Sequence, residues 1–90
     1  MNQKQQSLLQ KYISEDVNKP TFKDYFMREV GYVVNTLNIL GNQIEDKITA
    51  IKLNEATQLA QNILSSKQIK DEHLSAMLKY YELIDQLKNG

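Results

Sequence analysis

The sequence predicts an all-α fold, a small antiparallel up-down bundle of four helices whose first helix is able to detach. Three observations carry this expectation. Apolar residues recur at helical spacing through four segments, and no stretch shows the strict alternation of a half-buried strand. Pro20, Gly41 and the connection from Ser65 to Lys70 divide those segments. Connections this short oblige successive helices to run antiparallel. The third observation is Thr21 to Leu40, which is apolar around most of a helix circumference and so requires a central place or a partner chain.

That second segment organises the rest. Phe22, Phe26, Val30, Val33, Leu37 and Leu40 fall on one face, widened by Met27 and Val34. Tyr25, Tyr32 and Ile39, spaced by seven, form a second apolar strip beyond it. Asp24, Arg28, Gly31, Asn35 and Asn38 leave only a narrow polar stripe. Phe26, Val30, Val33 and Leu37 are expected at the centre of the core, facing Ile48, Ile51, Leu74, Met77 and Tyr81.

The first helix is expected over residues 3–16, with Leu8, Leu9, Tyr12 and Ile13 as a short apolar patch and Val17 trailing it. Pro20 ends the segment, because the residue before a proline avoids the helical region. Thr21 has the character of an N-cap for the second helix, 21–40, with Asp24 in the capping-box position. Gly41 and Asn42 are expected to close it, glycine most easily taking the left-handed conformation after a helix end. Gly31 inside the helix costs roughly 1 kcal/mol against alanine. It is either tolerated or marks the close approach of another backbone.

The third helix, 43–65, presents two apolar sets. Ile44, Ile48, Ile51, Leu59 and Ile63 share one face, while Leu53, Ala60 and Leu64 lie nearly opposite, with Ala56 between them. With no proline or glycine to kink it, such a helix is expected to meet two neighbours. The fourth helix, 71–88, starts at Asp71 as N-cap and carries Leu74, Met77, Leu78, Tyr81 and Ile84 on its core face. Tyr80, Leu83 and Leu87 extend that arc.

The totals bound the function. Ninety residues are read as one helical domain, 1–90, burying only roughly 60–65% of the surface its unfolded chain exposes. Without cysteine, neither disulfides nor thiolate ligands can supplement that core. Eleven basic and eleven acidic residues give zero formal charge, so no bulk field draws in nucleic acid or an anionic membrane. Ten of the eleven basic residues are lysine, leaving Arg28 as the one bidentate anion-gripping side chain. No segment approaches eighteen apolar residues and Met1 to Gln10 lacks a signal-peptide run, so a cytoplasmic location without membrane insertion is expected. Abundant asparagine, glutamine, lysine and isoleucine accompany AT-rich coding, which suggests a low-GC bacterium or one of its phages.

Residues for chemistry are sparse. His73 is the single histidine, and a metal site would need further ligands at helical spacing that its neighbours do not supply. Serines sit in no nucleophile elbow, and the glycines form no phosphate loop. Glu15–Asp16, Glu45–Asp46 and Asp71–Glu72 are adjacent in sequence, so they do not face each other as acid and base. Leu40, Gly41 and Ile44 have the spacing of a helix-turn-helix turn, yet Glu45 and Asp46 stand where phosphates would be met. The expectation is a non-enzymatic chain without cofactor, metal or nucleic-acid partner.

What exceeds the needs of a thin bundle is apolar surface. Tyrosine offers large contact area with few rotatable bonds and keeps a polar tip for water, which suits interfaces. The sequence therefore points to a small protein-binding regulator or inhibitor, bacterial or phage-encoded, that occludes a partner protein through apolar helix faces. A homodimer is expected, with Tyr25, Tyr32 and Ile39 as the leading contacts and Tyr80 and Leu83 next, because a twofold axis pairs such a patch with itself. The rival arrangement folds the first helix over the Tyr25–Tyr32–Ile39 strip and completes a monomer. Two other classes fit the same outline by fold analogy: a bacteriocin-immunity-type bundle and a phage structural or assembly component.

Overall fold

The structure, a computed structural model, describes residues 1–89 and contains four helices: α1 Gln3–Ser14, α2 Pro20–Gln43, α3 Lys47–Leu64 and α4 Asp71–Asn89. No strand occurs among the described residues. Each helix is antiparallel to the next. Lys4 of α1 reaches Glu29 and Tyr32 of α2, while Lys11 lies over Tyr25 and Tyr12 meets Phe22. The four helices form a flattened body of 41 × 26 × 17 Å, with α2 and α4 in contact across the short diagonal and α1 and α3 on either side.

The core is the one expected of α2. Phe22, Phe26, Val30, Val33 and Leu37 are fully buried and gather Leu8 from α1, Leu53, Ala60 and Ile63 from α3, and Met77, Tyr81 and Ile84 from α4. Leu74 is half-buried at its edge. Ile69, in the connection before α4, also turns inward and plugs the end of this cluster.

Helix ends depart from expectation in ways that have local causes. The second helix starts at Pro20, with Lys19 as N-cap making no side-chain bond, and Thr21 lies inside the first turn. Proline at the first helical position lacks only an N–H that would be orphaned there, and its φ is already helical. At the other end α2 runs on to Gln43, and Gly41 is an ordinary helical residue without positive φ. Extended backbone at Ile44 stops the helix instead. Asp46 then caps α3, its carboxylate accepting the Thr49 hydroxyl at 2.5 Å and the Thr49 amide at 3.1 Å. The hydroxyl first, then the amide, holds Asp46 below the usual aspartate range. In α4 the amides of His73 and Leu74 bond the Lys70 carbonyl, and Lys70 N–H donates to His73 Nδ1 at 3.1 Å. The cap is therefore Lys70, and Asp71 is the first helical residue.

The largest correction concerns the rotation of α3. Leu53, Thr57, Ala60 and Ile63 face inward, whereas Ile48 and Ile51, expected in the core, are exposed, as is Leu59. The inward face is the one with small side chains, including half-buried Ala50 and Ala56, and it lets α3 settle closely on α2. A Cβ placed on Gly41 would lie 3.9 Å from that of Leu53, ordinary contact distance. Thr57 is accommodated there because its hydroxyl donates to the Leu53 carbonyl at 2.8 Å. A Cβ at Gly31 would meet nothing within 4 Å, so no backbone of this chain crosses at that position.

The first helix, expected to be weakly held, is latched by polar groups. Asn2 and Gln5 form a reciprocal capping box. The same two side chains donate to α4 carbonyls, Gln5 to Leu78 at 2.9 Å and Asn2 to Tyr81 at 3.4 Å. Gln5 is buried and satisfied in doing so. At the far end the Tyr12 hydroxyl donates to Asp71.

Candidate interaction surface

The residues expected at an interface do not share one open face. Tyr25 and Tyr32 are half-buried beneath α1, with the Lys11 and Lys4 ammonium groups 5.0 and 4.4 Å from the two ring centroids. These lysines lay their stems along the strip while keeping charge in water, and the cation faces the negative side of each ring. Ile39 continues the strip beyond the N-terminal end of α1 and is 56% exposed. Tyr80 is 9% exposed and belongs to the core, its phenol raised above the ordinary value by burial. Leu83 is half-buried against the same cluster. Most of the tyrosine surplus is thus absorbed within the chain, by α1 and by the core.

Exposed large apolar side chains occur singly at Met1, Ile13 and Ile39 and are grouped on α3. Ile48, Ile51 and Leu59 are 66%, 59% and 56% exposed, the consequence of the rotation that turns alanines inward. At 100° per residue Ile48, Lys52, Glu55 and Leu59 fall within a 60° arc, a straight stripe along the outer surface, with Ile51 flanking it. Lys52 and Glu55 are both exposed, and among the described residues neither takes part in an ion pair. Only the two-set pattern of α3 hinted at this face. The sets also divide differently from the expectation, with Ile63 buried and Leu64 42% exposed. Fixing that rotation requires the partner helix, because isoleucines outweigh alanines in any hydrophobic count.

Four of the six carboxylates considered for chemistry, and His73, have structural employment. Glu15 pairs with Lys11 at 3.1 Å, Asp16 accepts the Asn18 amide at 3.0 Å, Asp46 caps α3 and Asp71 receives Tyr12. His73 caps the start of α4 through Nδ1. Among the described residues, no group of three histidine or carboxylate side chains is placed to hold a metal ion. No described helix is long and apolar enough to cross a membrane. The polar cluster at the α1–α2–α4 junction is a joint between helices: Glu29 Oε1 accepts both the Lys4 ammonium at 2.8 Å and the Tyr81 hydroxyl at 2.7 Å.

Fold and surface together define a four-helix up-down bundle with an open apolar face on its third helix. Comparison with protein families, characterised proteins and solved structures yields no match.

Proposed function

We propose that this chain is a small non-enzymatic protein-binding regulator or inhibitor, bacterial or phage-encoded, that occludes a partner through the outer face of α3. The observation that carries the reading is the exposure of Ile48, Ile51 and Leu59 together on one helix of a ninety-residue chain. Ile48 and Ile51 are neighbours on this face, and Leu59 lies about three turns on from Ile48 with Lys52 and Glu55 between. Apolar anchors interrupted by charge on one helix face are characteristic of binding faces, whereas singly scattered exposed residues need no explanation. A helix face reading i, i+3, i+11 supplies anchors of the kind used when amphipathic helices meet a groove or another helix.

The test compares the parent with an Ile51→Glu, Leu59→Glu variant, both carrying a photo-crosslinker at Gln58 on the rim of the face. Because both positions are exposed, the variant should melt within a few degrees of the parent. The parent should form a discrete crosslinked protein adduct in a low-GC bacterial lysate and the variant should not. Equal adduct formation by both chains would remove α3 as the binding face.

A further inference from the structure

We infer that the outer face of α3 is self-complementary and joins two copies of this chain in an antiparallel pair about a twofold axis passing between Leu53 and Asn54. This rests on the reading of α3 as a protein-binding face and names the occupant as a second copy. The pairing differs from the tyrosine-strip dimer that the sequence suggests, since α1 covers Tyr25 and Tyr32.

The argument is the order of residues along the stripe. Read from its N-terminus it runs Ile48, Lys52, Glu55, Leu59, with steps of four, three and four. Reversed, the spacing is unchanged and the two charges exchange places. Two antiparallel copies in this register put Ile48 opposite the partner's Leu59 and Lys52 opposite the partner's Glu55, each contact occurring twice. A parallel pair would set lysine against lysine and glutamate against glutamate. An antiparallel pair shifted to centre on Glu55 would oppose the two glutamates. Charge thus selects one orientation and one register, the role polar residues play inside helix–helix seams.

Three features of the fold suit the arrangement. The four side chains occupy a 60° arc, the width of a seam between two helices, and stand on the side of α3 turned away from the core. Among the described residues Lys52 and Glu55 take part in no ion pair, and Lys52 acts on Asp46 of the same helix end only through space, so pairing breaks no salt bridge. Ile51, on the flank, closes over the seam beside the partner's Glu55 and excludes water from the charge pair. The contact spans roughly 16 Å of helix at 1.5 Å per residue, well short of a stable obligate interface, so the pair is weak and reversible. A dissociation constant of roughly 10–100 μM is expected for a contact of this size.

Sedimentation equilibrium of the full chain over about 5 μM to 1 mM tests the inference. The parent should move from monomer to dimer across that range. Lys52→Glu alone and Glu55→Lys alone each oppose like charges and should weaken association at least about tenfold. The double exchange, Lys52→Glu with Glu55→Lys, restores complementarity and should dimerise as the parent does. Mixing the two single variants should give a heterodimer, because each supplies the charge the other lacks. Unchanged helicity and melting temperature of all variants, compared at a few micromolar chain so that self-association adds nothing to the parent, confirm that the substitutions act on the surface alone.

A parent that stays monomeric at 1 mM overturns self-pairing, as do single variants that associate like the parent. Either result leaves the protein-binding reading standing if Ile51→Glu, Leu59→Glu still loses its crosslinked partner. Loss of both signals removes the face altogether.

Discussion

The Tyr81 hydroxyl of α4 donates to Glu29 of α2 at 2.7 Å, on the same carboxylate oxygen that receives Lys4 of α1 at 2.8 Å. Three of the four helices are therefore tied through one acceptor atom at the edge of the core. Burial, and then the neighbouring Glu29 carboxylate, push the Tyr81 phenol far above its ordinary value of 10.0. A group whose pKa is raised by folding contributes stability that is fully present below its unfolded value and is lost as pH climbs past it.

Tyr81→Phe should therefore cost about 1 to 3 kcal/mol at neutral pH, the worth of a hydrogen bond to a charged acceptor. Glu29 keeps Lys4 in that variant, so no carboxylate is stranded. Above about pH 10 the parent should lose stability with each pH step while the variant loses less, since it lacks the Tyr81 phenol and keeps only Tyr80 buried. Thermal melts from neutral pH to pH 11 measure both effects. Parallel declines in the two proteins would show that Tyr81 does not control alkaline unfolding.

Phe26 sits at the middle of the buried face of α2, stacked on Phe22 with ring centroids 5.9 Å apart. Phe26→Ala should cost about 3 to 5 kcal/mol, from lost transfer energy and the cavity left behind. That is a large share of the stability of a domain this small. Urea denaturation should show a much lower midpoint with little change in slope. A midpoint close to the parent's would show that the surrounding helices collapse into the space.

The central helix was legible because its signal needs no partner: five fully buried residues follow the 3.6 period directly. The third helix was not, because its inward face takes Ile63 with Leu53, Thr57 and Ala60 and leaves Leu64 outside with Ile48, Ile51 and Leu59, a division that small inward residues make possible. Small residues gain by close approach to α2 what they lack in area, and approach distance is a property of two helices rather than one sequence. The ends of α2 were misplaced for a related reason. Pro20 and Ile44 terminate it through backbone geometry, whereas Thr21 and Gly41 are merely residue types that favour ends. The latch on α1 was invisible because glutamine and asparagine near an N-terminus read as solvated surface until α4 brings the Leu78 and Tyr81 carbonyls beside them.

That latch sets the order in which the molecule opens. Gln5→Ala removes the N3 partner of the capping box and the bond to the Leu78 carbonyl together, for about 1 to 2 kcal/mol. Because α1 contributes only Leu8 to the fully buried apolar core, its loss of order need not unfold the rest. Amide exchange should accelerate across α1 in this variant while α2 and α4 keep the parent's protection. Uniform acceleration in all four helices would instead make α1 an integral part of one cooperative unit.

Leu53 and Ile51 provide the sharpest test of the rotation of α3, because they are two positions apart and equally apolar. Leu53 is 1% exposed and meets α2 beside Gly41, so Leu53→Ala should open a cavity and cost about 2 to 5 kcal/mol. Ile51 stands in water, where truncation removes little buried area, and Ile51→Ala should change stability by no more than about 0.5 kcal/mol. The comparison is made at a few micromolar chain, so that self-association does not add to the apparent stability of the parent. Had the isoleucine-rich set faced the core, the two results would be exchanged. Equal, large losses at both positions would mean instead that a second surface covers Ile51 even in dilute solution, and that α3 is enclosed on two sides.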